Sequence, residues 1–249
     1  MFHLLGRGVR FVAYGLDAVL VTVVAYTLSY LPRRLTQRFY PWLFRAWCRS
    51  MVRALGVELR LHQKNRRPLP GQYILIANHP SAFEDVGIPA LFPVDSLAKI
   101  EVRDWWVVGR MSAAAGTLYV RREERDSRRA AFDALAAALA AGRSLVIYPE
   151  GGCKGRRIFE TFRYGPFELS LQTGVPILPV FLHYESQDDF EWRPGELLVE
   201  KMWHVLRSRN KRANYYVYDA LDPCDFSDKV AYMRHAHDLF LAWQARYLD

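Results

Sequence analysis

Cysteine is scarce in this chain of 249 residues, and the three that occur, Cys48, Cys153 and Cys224, lie far apart. Their spacing matches neither a zinc-binding pattern nor a redox motif, and it gives no support to a disulfide framework. Internal repeats and low-complexity tracts are also lacking, which argues against repeat architectures and compositionally biased linkers. We therefore expect a protein of a reducing compartment with no bound metal.

Acidic residues are in deficit, since 34 Lys and Arg face 26 Asp and Glu, for a formal net charge of +8. Such a chain favours an anionic partner, and both nucleic acid and an anionic membrane qualify. No nucleic-acid-binding module is recognisable, so we expect no nucleic-acid partner. The length allows one catalytic domain plus an appendage.

Charge is almost missing from residues 11–31, where Asp17 is the only ionisable acid or base among apolar side chains. About 20 apolar residues match the hydrocarbon thickness of a bilayer. A signal peptide is disfavoured because no small-residue cleavage site follows, while Arg33 and Arg34 do. A buried core helix is the other alternative. We expect a membrane-anchoring helix with these arginines on the cytoplasmic face, most simply of a bacterial inner membrane.

The next segment combines a basic and an apolar side. Arg45, Arg49 and Arg53 recur every four residues. The opposite side carries Trp42, Leu43, Trp47, Met51 and Leu55. This pattern predicts an amphipathic helix lying along the lipid headgroups, with its arginines on lipid phosphate. Residues 1–55 are thus expected to attach the protein to the bilayer, and residues 56–249 to form the catalytic domain.

Beyond residue 56, strand-like and helix-like segments alternate. The predicted strands cover residues 57–62, 72–79, 96–100, 117–120, 144–150, 177–184, 196–203 and 213–221. Helices are predicted over 125–142, 165–174 and 228–248, the first from its alanine and leucine content. Apolar strands interleaved with helices predict an α/β fold with a mixed central sheet flanked by helices. In such sheets the chemistry gathers in loops at strand ends, here after Ala77 and Tyr148 among others.

The segment IANHPSAFEDVG places a histidine where one of these strands ends. Pro80 suits the first residue of a helix. On a continuous helix His79 and Glu84 would lie about 140° apart, so contact between them requires His79 to turn back from the loop. A histidine held by a carboxylate through one ring nitrogen can take a proton from a hydroxyl with the other. Ser81 lacks the Gly-x-Ser-x-Gly elbow of a nucleophile, and we expect it to satisfy backbone donors instead.

Four sequence blocks together resemble the PlsC-like glycerolipid (lysophospholipid) acyltransferases. NHPSAFED resembles the N-H-x-S-x-x-D block of that family. GTLYVRRE at 116–123, YPEGGCKGRRIFETFRYG at 148–165 and VPILPV at 175–180 are similar to its three further blocks, in the same order. The resemblance covers about 57–184, and four ordered blocks are far more specific than one.

The resemblance implies acyl transfer from an acyl thioester, either acyl-CoA or acyl-carrier protein, to the hydroxyl of a lysolipid, with no bound cofactor. His79 would be the general base, and Glu84 or Asp85 would fix its tautomer. Glu84 stands where the family usually has Asp, so Asp85 remains a competitor. Cys153 is expected to be a spectator thiol.

The resemblance also implies a site for the acceptor headgroup. Its residues would be Arg122, Glu150, Gly151, Gly152, Lys154 and Arg163. The two glycines permit close backbone approach and the cations suit phosphate, although Glu150 has an alternative role as an ion-pair partner of those cations. Gly152 replaces the usual Thr and Arg121 replaces a common Asp, which predicts a more cationic site than usual. The acceptor stays open between a lysophosphatidate-type lipid and another lysolipid, including an amino-acid lipid. The alternatives are a non-catalytic lipid or acyl-carrier binding protein and an acyl thioesterase.

Overall fold

One seven-stranded sheet organises the protein in the computed structural model, which describes residues 2–193 and 195–248, with residues 2–7 as backbone only. The strands are β1 (Glu58–Gln63), β2 (Ile74–Ala77), β3 (Val94–Lys99), β4 (Leu118–Val120), β5 (Ser144–Ile147), β6 (Ile177–Tyr184) and β7 (Arg212–Val217). Their order is β1-β7-β6-β2-β5-β3-β4. All neighbours are parallel except β6 and β7, which are antiparallel, so the sheet is mixed as predicted.

Helices cover both faces of this sheet. They are α1 (Phe2–Leu28), α2 (Arg33–Thr36), α3 (Tyr40–Leu55), α4 (Glu84–Leu91), α5 (Val108–Ala115), α6 (Arg125–Ala140), α7 (Gly165–Thr173), α8 (Gln187–Phe190), α9 (Leu198–Arg207) and α10 (Lys229–Tyr247). Two 3-10 turns lie at Ile100–Asp104 and Pro223–Asp225. One core lies under α3, α4 and α9, and the other under α6, α7 and α10.

The centre of the sheet is the short apolar strand β2, whose four residues are all buried. Leu75 packs into the core under α3 and α4, while Ile74 and Ile76 pack into the opposite core. This alternation is the two-residue period of a strand, and a strand with two covered faces must be apolar throughout. The carboxyl end of β2 therefore presents His79 at the edge of the sheet, between the two helical layers.

The helices α1 and α3 form an N-terminal pair joined by hydrogen bonds. Trp47 Nε1 donates to Thr22 Oγ1 at 2.8 Å, and Ser50 Oγ donates to Asp17 Oδ2 at 2.5 Å. The lone acidic residue of α1 thus faces its partner helix. The window Gly8–Leu28 is long and apolar enough to cross a membrane, and only 11% of it is buried. A core helix of a soluble protein would be mostly buried, so an anchor fits this segment better.

The arginines of α3 make contacts that the sequence pattern did not suggest. Arg45 Nε donates to the Pro89 carbonyl at 3.2 Å, and Arg49 Nε donates to the Ala90 carbonyl at 3.0 Å. Both carbonyls lie in the last turn of α4, where backbone acceptors lack helical partners and favour cations. The two side chains therefore fasten α3 to α4, whereas Arg53 is exposed. The division into two domains at residue 55 stays a prediction.

The strand predicted at 196–203 is wrong, because this segment forms the helix α9. Leu198, Met202 and Val205 line the same cavity, at helical rather than strand spacing. Glu200 accepts a hydrogen bond from the Leu197 N–H at 2.9 Å, which satisfies a free donor at the start of the helix. Over so few residues the apolar positions fit both the strand period and the helical period. The hydrogen bond between Leu197 and Glu200 favours the helix.

The helix start predicted at Pro80 is also wrong. Residues 80–83 form bends and a turn, and α4 begins at Glu84. Ser81 Oγ accepts from the Phe83 N–H at 3.1 Å, so the serine satisfies a backbone donor as expected, but within the turn that precedes the helix. The non-helical turn is what allows His79 to face back toward the first residue of α4.

Candidate active site

A buried histidine–carboxylate pair lies at the carboxyl end of β2. Nδ1 of His79 is 3.0 Å from Oε2 of Glu84, whose side chain is fully buried. Tyr184 Oη donates to Oε1 of Glu84 at 2.6 Å, and the Ser81 N–H lies 3.1 Å from both carboxylate oxygens. The ring of His79 stacks on Tyr148 at 4.0 Å between centroids. Both members of the pair are therefore held in one orientation.

The side chain of Asn78 keeps the end of β2 hydrogen-bonded to the neighbouring strand β6. Its Nδ2 donates to the Leu182 carbonyl at 3.0 Å, and its Oδ1 accepts from the Leu182 N–H at 2.7 Å. The side-chain amide thus replaces one further pair of backbone hydrogen bonds between β2 and β6. The backbone is released at His79, while the position of the loop stays fixed.

Glu150 joins this loop to the loop after β5. Its Oε1 accepts from the His79 N–H at 2.8 Å and its Oε2 accepts from the Phe159 N–H at 3.0 Å. The side chain is 1% exposed, and burial raises the pKa of this carboxyl to about 7. Because both oxygens accept from the backbone, the contacts favour a positioning role over either expected role, as headgroup ligand or as partner of the cations.

Asp85 follows Glu84 in the chain and lies close enough to Tyr148 for a side-chain hydrogen bond. It lines an apolar cavity from which it is accessible, yet protein encloses it on most sides, and this desolvation raises its pKa. The charges of His79 and Arg122 act in the opposite direction. Of the two acids that the sequence left open, Glu84 is the one in contact with Nδ1.

Burial and hydrogen bonding compete at the pair itself. Desolvation opposes the charging of His79, whereas its hydrogen bonds with Cys153 and Glu84 favour it, and the balance raises the pKa of His79 well above its usual value. Burial also raises the pKa of Glu84, against the effect of its contact with His79. The carboxylate beside Nδ1 favours the tautomer with its hydrogen on that nitrogen, which leaves the lone pair on Nε2.

The Gly151-Gly152 turn brings a guanidinium against the backbone. Nη1 of Arg122 donates to the Gly151 carbonyl. Gly151 has φ +77° and Gly152 φ +156°, conformations that favour glycine. A Cβ on Gly152 would lie 3.3 Å from Nη1 of Arg122, so the missing side chain leaves room for the guanidinium.

The other cations of this loop differ in what they contact. Lys154 Nζ lies 4.6 Å above the ring of Phe159 and is exposed. Arg156 donates to Glu191 from Nε at 2.8 Å and also pairs with Asp188, so its charge is already neutralised. Of the two cations predicted in the third block, Lys154 and Arg163, it is Arg163 that lines a groove together with Arg122.

That groove has a volume of about 560 Å³ and lies on the α6–α7 side of the sheet. Arg122, Arg128 and Arg163 line it, together with Tyr148 and Gly151. Arg128 was missed by the sequence reasoning, although its place in the first turn of the helix after the second block is a usable signal. The site is thus cationic on one side of His79.

The cavity on the opposite side is apolar and has a volume of about 180 Å³. It lies among α3, α4, α5 and α9, and its walls include Trp47, Met51, Phe83, Val102 and Met202. Its lining could not be named from the sequence, because it comes from four helices that are distant in the chain. Within residues 2–193 and 195–248 no group of three or more His, Cys, Asp and Glu side chains could hold a metal ion.

A histidine–carboxylate pair therefore lies at the carboxyl edge of an α/β sheet, and its neighbours line an apolar cavity and an arginine-lined groove. The family model Acyltransferase matches residues 58–183, about half of the chain. The chain belongs to this acyltransferase family, of the PlsC-like type that the sequence blocks resemble.

Named relatives agree with this assignment. The chain is 34% identical over 151 residues to a lyso-ornithine lipid O-acyltransferase of Pseudomonas aeruginosa, covering 60% of this chain and 55% of that protein. It is 29% identical over 249 residues to the lyso-ornithine lipid O-acyltransferase of Rhizobium meliloti, covering 92% and 80%. The match thus spans about half of the Pseudomonas protein.

The fold agrees with a solved structure. The crystal structure of the 1-acyl-sn-glycerophosphate acyltransferase PlsC from Thermotoga maritima superposes with a TM-score of 0.61 over 94% of this chain and 97% of that chain. The sequence identity is 17%, so this similarity concerns the fold alone. The predicted fold class, a mixed sheet flanked by helices with an N-terminal apolar helix, is confirmed.

Proposed function

We propose that this protein transfers an acyl chain from an acyl thioester to the hydroxyl of a lysolipid at a membrane surface. The observation that carries the proposal is that direct neighbours of the His79–Glu84 pair line both spaces. Asp85 lines the apolar cavity, and Tyr148, on which His79 stacks, lines the arginine-lined groove. A lysolipid acyl transfer needs one place for an apolar chain, one for an anionic headgroup, and a base between them.

In this proposal His79 acts as the general base. Glu84 accepts the Nδ1 hydrogen at 3.0 Å, which leaves the lone pair of Nε2 to take the proton of the hydroxyl. The alcohol oxygen attacks the thioester carbonyl, and the imidazolium then returns its proton to the departing thiolate. The carboxylate stabilises the imidazolium while it exists, and Tyr184 holds the carboxylate in place.

The acyl chain occupies the apolar cavity in the same proposal. Asp85 and Phe83, which lie beside the pair, line that cavity, so a chain lying in it would place its carbonyl close to His79. The exposed Trp105 and the half-buried Leu198 also line it. Apolar walls favour methylene groups by their transfer from water.

The headgroup occupies the arginine-lined groove. Guanidinium groups bind carboxylate and phosphate through paired hydrogen bonds, so Arg122, Arg128 and Arg163 suit either anion. The two relatives described above are named for lyso-ornithine lipid, whose headgroup is an amino acid. We therefore take an amino-acid lysolipid as the acceptor, in agreement with the positive charge that Arg121 brings in place of a common Asp. Lys154, which is exposed above Phe159, adds to the positive charge of the loop that contains Gly151.

The membrane and the donor complete the proposal. In this proposal α1 anchors the protein in a bacterial inner membrane, and the length and hydropathy of Gly8–Leu28 support this role. Arg33 and Arg34 after it support a site on the cytoplasmic side, where basic residues are favoured. The donor is a cytoplasmic acyl thioester, acyl-CoA or acyl-carrier protein. Neither donor binds as a resident cofactor.

The test uses the full chain in vesicles of mixed phospholipids. Lyso-ornithine lipid, lysophosphatidate and lysophosphatidylcholine are offered with acyl-CoA or acyl-carrier protein bearing the same chain, and products are measured by mass spectrometry. We expect diacyl product from lyso-ornithine lipid first, and none with His79→Ala. Release of free fatty acid without acylated lipid would identify a thioesterase, and binding without turnover a carrier; either result overturns the proposal.

A further inference from the structure

A basic groove lies where the start of α1 meets the end of α3 and the turn between α9 and β7. It has a volume of about 990 Å³, and within the described part of the chain none of its lining residues lines the arginine-lined groove or the apolar cavity. Its charged lining residues are Arg10, Arg53, Glu58, Arg209, Lys211 and Arg212. These cations outnumber the acid, so the groove is strongly positive at a place separate from the proposed substrate site.

Two of these cations are already bound to the protein. Nζ of Lys211 donates to the Leu55 carbonyl at 2.9 Å and to the Leu206 carbonyl at 2.6 Å. These carbonyls lie at the ends of α3 and α9, where backbone acceptors lack helical partners. Nη1 of Arg212 donates to Oε2 of Glu185 at 3.2 Å. Lys211 and Arg212 therefore hold the walls of the groove together and are not free to bind a ligand.

The other three cations are unpaired. Among the residues whose side chains the structure describes, none forms a hydrogen bond, an ion pair or a ring contact with the side chains of Arg10, Arg53 and Arg209. All three are exposed, and the acid of the groove, Glu58, accepts from Arg60 Nε at 2.8 Å. Like charges around one space repel, so an anion bound among them is favourable. Guanidinium groups bind phosphate through paired hydrogen bonds, so the groove suits a phosphate.

The apolar wall of the basic groove indicates which phosphate it suits. Phe11 and Tyr14 of α1 line it, and both are exposed members of the apolar stretch Gly8–Leu28. Aromatic side chains favour the boundary between hydrocarbon chains and headgroups. A phospholipid would place its phosphate on the arginines and its chains along α1, whereas a soluble acidic protein would leave this apolar helix in water. These features favour an anionic phospholipid over an acidic protein.

The sheet places the basic groove at the same edge as the candidate active site. β6 and β7 are antiparallel and β1 is parallel to β7, so β1 and β7 both run opposite to β2. Their first residues, Glu58 and Arg212, therefore lie at the edge where β2 ends and His79 follows. In the sheet β1 is three strand positions from β2, which corresponds to about 14 Å at the usual strand spacing. A lipid in the groove would hold this edge against the bilayer.

We infer that the basic groove binds the phosphate of an anionic phospholipid that is not the acyl acceptor, and that this lipid orients the active-site edge toward the membrane. The binding goes beyond the proposed function, while the orienting role rests on it. The sequence pattern placed all three arginines of α3 on lipid phosphate. Arg45 and Arg49 bind α4 instead, and Arg53 takes this role together with Arg10 and Arg209.

The first experiment measures lipid binding by the full chain in a neutral detergent, with native mass spectrometry as the readout. Phosphatidylglycerol, which is anionic, and phosphatidylcholine with the same chains are titrated separately. We expect the wild type to bind phosphatidylglycerol more tightly, and the difference between the two lipids to shrink as salt is added.

The groove variant combines Arg10→Gln, Arg53→Gln and Arg209→Gln. We expect its Kd for phosphatidylglycerol to rise about 10- to 100-fold, at roughly fivefold for each charge removed. Its unfolding midpoint is compared with that of the wild type. If the groove variant does not fold, the single change Arg209→Gln tests the same site, with an expected rise of roughly fivefold.

The matched control variant combines Lys64→Gln, Arg66→Gln and Arg67→Gln. These three exposed cations follow the other end of β1, at the opposite edge of the sheet. The control variant loses the same formal charge as the groove variant, so a general effect of net charge would appear in both. We expect it to keep the wild-type Kd.

The second experiment measures acyl transfer to lyso-ornithine lipid in phosphatidylcholine vesicles with and without phosphatidylglycerol. We expect phosphatidylglycerol to raise the rate of the wild type and of the control variant, and to leave the rate of the groove variant unchanged. In detergent micelles, which present no extended bilayer surface, the wild type and the groove variant should have equal rates. If the wild type acylates no lysolipid in either system, the proposed function fails while the binding result stands.

Four outcomes would overturn the inference. The first two are a groove variant that binds phosphatidylglycerol as tightly as the wild type and a control variant that loses as much affinity. The third is displacement of phosphatidylglycerol by an equal concentration of inorganic phosphate, which would identify a site for a free anion. The fourth is an acyl-carrier protein that binds the wild type but not the groove variant while phosphatidylglycerol binds both equally, which would assign the groove to an acidic protein.

Discussion

Nδ1 of His79 lies 3.0 Å from Oε2 of Glu84, although five positions separate the two residues along the chain. On a helix they would face different directions. The bends at residues 80–83 break that geometry, and the Ser81 N–H holds both oxygens of the acid from within the bends. The contact therefore depends on a short non-helical turn as much as on the two side chains.

Removal of the Glu84 charge should slow acyl transfer strongly. Glu84→Gln keeps the shape of the side chain but no longer stabilises the imidazolium, and we expect kcat to fall by roughly 10²- to 10⁴-fold. Asp85→Asn is the matched control, since it makes the same change one residue away without touching Nδ1, and we expect a fall of less than about tenfold. Rates are measured with labelled acyl donor. An equal or larger loss in Asp85→Asn would assign the role to Asp85.

The pH profile should report His79. The base works when unprotonated, and its pKa is raised above the usual value, so kcat/KM should rise with pH through a midpoint above about 6.5. Glu84→Gln removes a partner of the charged imidazole, so the midpoint should move to lower pH. The measurement is a pH–rate profile at fixed ionic strength, with imidazole titration followed by ¹⁵N NMR. A midpoint that is the same in both proteins contradicts this assignment.

Glu150 should make the stability depend on pH in an unusual direction. Its pKa is about 7 in the folded protein against 4.5 usually, so the folded state binds this proton more tightly than the unfolded state. The contribution to the unfolding free energy is complete below about pH 4.5 and is lost as pH rises through about 7, by up to about 3 kcal/mol.

Glu150→Gln cannot ionise, so it should lack this loss, although it is less stable at low pH because one backbone N–H then lacks a good acceptor. Unfolding by denaturant in detergent, from pH 4.5 to 7.5, should show the wild type losing its advantage over the variant as pH rises. Two parallel curves would exclude a strongly raised pKa at this residue.

The apolar cavity should set the length of the acyl chain. Ala98 lines it, and Ala98→Leu adds three carbon atoms to its wall. We expect kcat/KM to fall about tenfold or more for long-chain donors and little for short ones, because the longer chain no longer fits. Ala137→Leu, at an exposed position of α6, is the control and should leave the preference unchanged. A uniform loss across chain lengths would place the chain elsewhere.

The sequence predicted most of the sheet because its strands are covered on both faces and therefore strongly apolar. The prediction failed at 196–203, where the apolar positions fit both a two-residue and a helical period. It also failed at Pro80, because the residue types found in this turn are those that often begin a helix. Local patterns of this kind do not show which backbone donors are satisfied by distant partners.

The candidate site was predictable only as far as its residues are close in the chain or belong to the recognised blocks. His79 and Glu84 followed from one block. Tyr184, which donates to Glu84, comes from a strand 100 positions later, and the placement of Cys153 on Nε2 needs the packing of two loops. Such contacts arise from tertiary structure and leave no periodic trace in the sequence.

The hydrogen bonds from Arg45 and Arg49 to the end of α4 bear on how the protein can be shortened. Cutting the chain after Leu55 would remove the apolar helix α1, but it would also remove a wall of the apolar cavity and the contacts of α3 with α4, the helix that begins at Glu84. A water-soluble version for crystallography should therefore begin near Tyr40, retain all of α3, and replace its newly uncovered apolar residues with polar ones.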